Sequence, residues 1–143
     1  MKKVLLLLLV TGTSIIGWSQ TRYVDSVFTQ IEKATYTYKD TLQLDGYSAK
    51  KDKNGSRPLL LVVHGGGFAG GKRDSRNEVE FSKTMAAKGY MVASMSYNLT
   101  LKGKSFGCDC PANDKIETFR SATNDIIDAL HYLNKLKELV YDR

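Results

Sequence analysis

The segment LLLVVHGGGFAGGKRD, residues 59–74, decides the fold of this chain, because an apolar run meets a histidine and then five glycines in seven positions. An apolar run without alternation is typical of a strand that is buried on both faces of a sheet. Three motifs overlap in the glycines that follow this strand. Each motif implies a different ligand, so the choice among them determines the function that the sequence predicts.

The first motif is the dinucleotide pattern G-x-G-x-x-G, which Gly65, Gly67 and Gly70 match. In that pattern the glycines open a helix, and an acidic residue about 20 positions later holds a ribose. Here the next apolar run ends in SYN at residues 96–98, which has no carboxylate, and the polar KRDSRN follows the glycines. The sequence therefore disfavours a dinucleotide cofactor.

The second motif is the phosphate loop G-x-x-x-x-G-K, which Gly66, Gly71 and Lys72 match. A phosphate loop continues with Ser or Thr, whose hydroxyl binds magnesium. Arg73 occupies that position. We therefore expect no nucleotide, no metal and no other cofactor at the glycines.

The third motif is H-G-G-G-F, residues 64–68, which is typical of an oxyanion loop. Acyl transfer builds negative charge on a carbonyl oxygen, and main-chain N–H groups that point at this oxygen stabilise it. Glycines allow successive N–H groups to converge, because they tolerate positive φ and close approach. This interpretation explains more of the segment than the other two.

The chain resembles the α/β-hydrolase esterases that carry an H-G-G-G-[FW] loop, of the acetyl-esterase and carboxylesterase types. The resemblance rests on PLLLVVHGGGFAGGKRD, MAAKGYMVASMSYNLT, TLQLDGYSA and FRSATNDIIDALHYL, and it covers roughly residues 35–143. It implies that Gly66 and Gly67 supply the oxyanion N–H groups, with support from His64, Gly65 and Phe68. It also implies a small-molecule ester substrate. Two alternatives stay open: a serine peptidase of the prolyl-oligopeptidase kind, and a non-catalytic binding protein of the same fold.

The remaining sequence predicts an α/β fold that matches the N-terminal part of an α/β-hydrolase sheet. Residues 34–39 and 41–49 alternate like an antiparallel β-hairpin, with a turn at residues 39–40. A β-α-β unit follows, with strands at 59–64 and 90–97 around a helix at 78–88 that Gly89 ends. We expect a mainly parallel sheet with the 59–64 strand in its centre.

The last predicted element is a long helix that runs to about Val140. Asp114 and Glu117 resemble a capping box, with Asp114 in the cap position. Apolar residues recur at spacings of three and four and predict the buried face: Ile116, Phe119, Ala122, Ile126, Ala129, Leu130, Leu133 and Leu136. Because the loop at residues 98–113 follows a strand, we expect it to border the substrate pocket, and its polarity suggests an acylated sugar.

The sequence lacks the G-x-S-x-G nucleophile turn that the resemblance leads one to expect. Ser94 and Ser96 lie in a predicted strand, and His131 lies on the long helix before any nucleophile position. We therefore expect a fragment that is truncated before the nucleophile strand, with nucleophile, acid and base beyond residue 143. Such a fragment should be inactive, and poorly soluble or partly unfolded, because one sheet edge is left without a partner.

Residues 1–20 have the features of a secretory signal peptide, and residues 21–143 would form the partial hydrolase domain. MKK is followed by a short apolar run, of about 15 residues with polar interruptions, where a stable membrane anchor needs about 20. The pattern predicts a bacterial type of export to the periplasm or the extracellular space.

Cys108 and Cys110 have no second pair for a zinc site and predict a packing or local bridging role. The net charge of +6 is scattered, so nucleic-acid binding is not expected.

Overall fold

The computed structural model describes residues 21–141, and side chains as far as residue 136. The predicted signal peptide at residues 1–20 lies outside the described residues. The described elements are, in chain order, β1 (Ile31–Lys39), β2 (Leu42–Ala49), β3 (Leu59–Val63), α1 (Arg76–Ala87), β4 (Met91–Met95) and α2 (Ala112–Tyr141). This order confirms the predicted hairpin, the β-α-β unit and the long helix.

The four strands form one mixed sheet in the order β1-β2-β4-β3. β1 pairs with β2 and β2 pairs with β4, both antiparallel, whereas β3 and β4 are parallel. The prediction of a mainly parallel sheet was therefore wrong for the described sheet. The reason is that the hairpin inserts its second strand beside β4, so only the β3–α1–β4 crossover produces a parallel pair.

The β1–β2 hairpin turns at Asp40, whose φ of +45° lies in the left-handed region that Asp tolerates in turns. The register pairs Tyr36 with Leu44 and Ile31 with Ala49. Leu44 and Tyr47 of β2 are fully buried. β2 therefore runs through the core between β1 and β4.

β3 is an edge strand of the described sheet, which corrects the prediction of a central strand that is buried on both faces. Leu59 and Val63 are 41% and 40% exposed, and the three residues between them are half-buried. β3 pairs on one side with β4, and no described strand lies on its other side. Its apolar sequence is therefore that of an interior strand in an edge position.

Helix α1 ends as predicted and begins earlier than predicted. Gly89 has a φ of +98°, and its N–H donates to the Ala86 carbonyl, which closes the helix. Ser75 precedes the first turn, and its hydroxyl contacts the Glu78 carboxylate without capping a main-chain N–H, so the helix begins at Arg76.

Helix α2 begins at Ala112, so Asp114 lies in the first turn and is not the cap. Its carboxylate instead pairs with Lys104 at 3.1 Å. The predicted apolar face is correct for Ala122, Ala129 and Leu133, which are buried, and for the half-buried Ile126 and Leu136. It was wrong for three residues that remain largely exposed in the described structure: Ile116, Phe119 and Leu130.

A buried carboxylate fixes α2 to the sheet. Asp125 is 1% exposed, and its Oδ2 accepts hydrogen bonds from the main-chain N–H and the side-chain amide of Asn98, each at 2.9 Å. Lys39 pairs with its Oδ1 at 3.0 Å. This network ties α2 to the segment that follows β4 and to the last residue of β1. Neither α1 nor α2, as far as they are described, has the length and apolar composition that a membrane crossing requires.

Candidate functional site

The glycine loop, defined here as residues 64–71, leaves the carboxyl end of β3 and turns back on itself. The carbonyl of Gly66 accepts the N–H groups of Ala69 and Gly70 at 3.1 and 3.2 Å. Phe68 adopts a φ of +60°, which is uncommon for a residue with a side chain. The loop is thus a compact turn that its own main chain holds closed.

Two glycines of this loop have no room for a side chain. A Cβ on Gly66 would overlap the Gly70 carbonyl, and a Cβ on Gly71 would overlap the Gly65 carbonyl and the His64 ring. Both glycines also have positive φ, +127° and +96°. The start and the end of the loop therefore lie in direct contact, and glycine is required at both positions.

His64 is buried at the start of this loop and contacts its main chain. It is 5% exposed, and its Nδ1 lies 2.9 Å from the Gly65 carbonyl, which can only accept, so Nδ1 carries the hydrogen. Its ring stacks on Tyr97 with centroids 4.5 Å apart. The Tyr97 hydroxyl donates to the His64 carbonyl at 3.1 Å, and burial raises the pKa of this hydroxyl.

The main-chain N–H groups of Gly66 and Gly67 have no acceptor among residues 21–141. Neither group takes part in sheet pairing, because β3 ends at Val63. Both glycines are exposed. Two adjacent donors therefore have no partner in the described part of the chain.

A cleft of about 310 Å³ lies beside these donors. Its lining is mainly apolar and comes from the end of β3, the glycine loop, the segment just after β4 and one face of α2. The lining residues are Val63, His64, Gly65, Gly66, Gly67, Phe68, Tyr97, Phe119, Ala122, Thr123 and Ile126. A concave apolar site with a few convergent polar groups is the usual form of a small-molecule site.

The loop at residues 98–113 was predicted to border the pocket, but none of its residues lines the cleft. It contributes Phe106, whose ring lies 5.4 Å from that of Phe68 and 5.6 Å from that of Phe119. Phe68 and Phe119 also contact each other, at 5.2 Å. The 98–113 loop thus packs one aromatic side chain against two residues of the cleft lining.

The ion pair between Arg73 and Asp45, close to the end of the glycine loop, is a feature that the motifs did not reveal. Arg73 Nε lies 3.3 Å from Oδ2 of Asp45, which is fully buried on β2. Burial alone would raise the pKa of Asp45, but the Thr35 hydrogen bond, Lys33 and Arg73 hold this pKa below its ordinary value. The signal was present in the sequence, as an aspartate in the middle of a predicted hairpin strand and an arginine two positions after the last glycine.

The side chains that were considered as possible catalytic groups do not converge on the cleft. The Ser94 hydroxyl donates to the Arg73 carbonyl at 2.8 Å, and Ser96 accepts from Arg73 at 3.2 Å. His131 is exposed on α2. Cys108 and Cys110 are free thiols in the 98–113 loop. In the described part of the chain, no cluster of three or more His, Cys, Asp or Glu side chains is placed to hold a metal ion.

Comparison with solved structures supports the fold. An esterase B from Lactobacillus rhamnosis, solved with a C4-C4 SN3 tributyrin phosphonate inhibitor, superposes with a TM-score of 0.53 and 26% sequence identity. The match covers 80% of this chain and 34% of the esterase, so the chain spans about a third of that protein's length. The mixed sheet and helices of this chain are consistent with the N-terminal part of an α/β-hydrolase. No curated protein matches the chain.

A family model gives the assignment. The BD-FAE model matches residues 44–138, which is more than half of the chain and includes the glycine loop, the cleft and the Asp45–Arg73 pair. Its limits run from the middle of β2 almost to the end of α2. This chain therefore belongs to the BD-FAE family, an esterase-like family of the α/β-hydrolase fold.

Proposed function

We propose that this chain forms the oxyanion-loop part of an exported serine ester hydrolase. In this proposal the N–H groups of Gly66 and Gly67 bind the carbonyl oxygen of a small-molecule ester. The observation that carries the proposal is that Gly66 and Gly67, whose amides have no acceptor among residues 21–141, are adjacent lining residues of an apolar cleft. The esterase fold of the matched protein supports it further.

The chemistry follows from where charge develops. When a nucleophile attacks an ester, the carbonyl oxygen becomes an anion, and a fixed N–H donor stabilises it by about 2.7–4 kcal/mol in the transition state. His64, Gly65 and Phe68 keep the two donors in place, because they close and pack the loop. Covalent acyl-enzyme chemistry of this kind needs neither a metal nor a cofactor.

We propose that the nucleophile, acid and base lie on polypeptide outside the 143 residues. The sequence has no G-x-S-x-G, and the hydroxyls of Ser94 and Ser96 are both engaged with Arg73. The exposed apolar edge of β3 is the place where the strand that carries a nucleophile would add to the sheet. This chain alone should then turn over no ester.

The substrate class is a small ester with an apolar acyl group. The mainly apolar lining of the cleft supports this, as does the butyrate-type inhibitor of the matched esterase. An acylated sugar stays a proposal for the alcohol portion that rests on the polar sequence of residues 98–113 alone, because no residue of that loop lines the cleft. Export to the periplasm or extracellular space is proposed from residues 1–20.

The test compares two proteins on p-nitrophenyl butyrate. The 143-residue chain should give no turnover above buffer. A longer product, read from the nucleic-acid sequence directly downstream of Arg143 and containing a G-x-S-x-G within about 15 residues, should turn the ester over.

A matched pair of variants in the longer product isolates the loop. A Cβ at position 67 has room, because its nearest neighbour would be 3.9 Å away. A φ of +60° is unfavourable for alanine, so we expect the substitution to rotate the main-chain N–H of residue 67. Gly67→Ala should lower kcat, by up to about 10²–10³-fold if the donor is lost. Gly103→Ala, strained in the same way at φ +80° in open space, is the control and should leave kcat unchanged.

Three outcomes would contradict the proposal. The first is equal kcat in the Gly67→Ala variant and the longer product. The second is turnover by the 143-residue chain that a serine substitution within it abolishes. The third is a downstream sequence without a nucleophile serine, which would favour the non-catalytic binding protein. Cleavage of a peptide substrate in preference to the ester would favour the serine peptidase.

A further inference from the structure

Arg73, the residue two positions after the glycine loop, reaches two strands with its side chain. Its guanidinium donates to Gln43 Oε1 of β2 at 3.0 Å and to the Ser96 hydroxyl, just after β4, at 3.2 Å. Its Nε lies 3.3 Å from Asp45 Oδ2. The side chain is only 21% exposed, so these contacts are sheltered from solvent.

The main chain of Arg73 is held as well. Its carbonyl accepts the hydroxyl of Ser94, which is fully buried on β4, at 2.8 Å. Gly71, two residues earlier, lies directly against the His64 ring and the Gly65 carbonyl. Because only Lys72 separates the two residues, holding Arg73 in place limits where Gly71 can lie. Gly71 in turn limits where His64 and Gly65, at the start of the loop, can lie.

Charge balance alone does not require Arg73. Asp45 is fully buried, and Lys33 of β1 already pairs with the same Oδ2 atom at 2.9 Å. The Thr35 hydroxyl donates to the other oxygen at 2.6 Å. The two cations share one carboxylate, but only Arg73 belongs to the segment that leaves the glycine loop.

We propose that Arg73 is a positioning residue, which uses Asp45 as its anchor to hold the glycine loop in the conformation that leaves the Gly66 and Gly67 amides free. Its catalytic consequence rests on the proposed function, whereas its effect on the loop does not. The planar fork of arginine suits this task, because it donates in several fixed directions at once.

The test uses hydrogen exchange followed by NMR in the full chain with Val63→Lys as the common background, because a charge on the β3 edge opposes strand addition. The amides of Ala69 and Gly70 report on the loop, because both donate to the Gly66 carbonyl. The amides of β4 report on the sheet as a whole. Arg73→Met should raise exchange at Ala69 and Gly70 by about tenfold or more, as expected when a charged hydrogen-bond network is lost.

Lys33→Met is the matched control, because it removes a cation from the same Asp45 oxygen without touching the loop segment. It should raise β4 exchange about as much as Arg73→Met, and leave the ratio of loop to β4 exchange unchanged. Arg73→Lys should behave like Arg73→Met, because one ammonium cannot reach the Asp45, Gln43 and Ser96 side chains together.

The proposal is overturned if Arg73→Met and Lys33→Met change the loop-to-sheet ratio equally, or if Arg73→Met leaves it unchanged. It is also overturned if Arg73→Lys restores the ratio fully, because charge alone would then suffice. The exchange readout needs no turnover. Failure of the ester hydrolase proposal would therefore show in the p-nitrophenyl assay and leave this result untouched.

Discussion

At the scale of single residues, Gly71 carries two constraints at once. Its φ of +96° disfavours any residue with a Cβ, and the space that a Cβ would need is taken by the His64 ring and the Gly65 carbonyl. The second constraint links the end of the loop to its beginning. A substitution here should therefore disturb the whole turn rather than one dihedral angle.

Gly71→Ala should lower the free energy of unfolding more than Gly103→Ala does. Left-handed backbone costs a residue with a Cβ about 1–2 kcal/mol at either position, and the overlap at Gly71 adds about 1–3 kcal/mol. Urea unfolding followed by circular dichroism measures both variants. Equal losses would show that the loop relaxes freely around the added methyl group.

Asp45 makes the stability of the fold depend on pH. Its pKa in the folded chain lies below the ordinary value of 3.8, so its ionised form contributes stability above that pH. The contribution is lost as the pH falls through the lowered pKa.

We therefore expect Asp45→Asn to be less stable than the unmodified chain at pH 6, and the gap to shrink as the pH falls below about 4. Urea unfolding at a series of pH values checks this. A gap that stays constant from pH 6 to pH 3 would mean that the pKa is not lowered by folding.

At the scale of elements, β3 joins an interior type of sequence to an edge position. One row of its main-chain N–H and C=O groups has no partner among the described strands, and such edges pair readily with other chains. Its apolar side chains strengthen this tendency. We therefore expect self-association of the 143-residue chain through β3.

Val63→Lys should shift the chain toward monomer in sedimentation velocity, because a charged side chain on an edge strand opposes strand addition. Val24→Lys is the control, since Val24 is also exposed but precedes the sheet. A similar shift in both variants would attribute the association to general hydrophobicity. A soluble monomer with one sharp unfolding transition, without any substitution, would contradict the expectation.

Periodicity and turn chemistry were sufficient to predict most elements. The hairpin follows from alternation and the Asp40 turn, and α1 from its Gly89 stop. The position of β3 did not follow, because an apolar run shows how much surface a strand can bury and not which neighbours are present. The start of α2 was misplaced because Asp114 suits a first helical turn as well as a cap.

For the site, the motif located the glycine loop, whereas the orienting role of His64 stays a prediction. The motif did not reveal Arg73, because its partners Gln43, Asp45 and Ser96 come from separate strands. Contacts of that kind depend on sheet order, which the sequence pattern did not predict. The oxyanion role of Gly66 and Gly67 stays a prediction.

At the scale of the whole molecule, the segment at residues 21–30 ties separate parts of the chain together. Arg22 pairs with Asp52, after β2, and donates to the Gly89 carbonyl at the end of α1. The main chain of Tyr23 donates to the Lys88 carbonyl at 2.8 Å. This segment therefore braces the connection between α1 and β4.

Arg22→Ala should lower the free energy of unfolding by about 1–3 kcal/mol, because it leaves the nearly buried Asp52 carboxylate with weaker partners. Arg76→Ala is the control, since its pair with Glu80 is exposed and is worth about 0.5 kcal/mol or less. The comparison uses thermal unfolding of the two variants. Equal losses would show that the brace adds nothing beyond a surface ion pair.

The position of this brace bears on the proposed cleavage of residues 1–20, because Arg22 lies close to the proposed cleavage point. If a leader ends near residue 20, the scissile bond lies two residues from a guanidinium that is locked onto the folded body. A peptidase needs an extended, accessible stretch of chain. If the proposed leader is removed at that bond, we expect its removal to precede the docking of Arg22 onto Asp52.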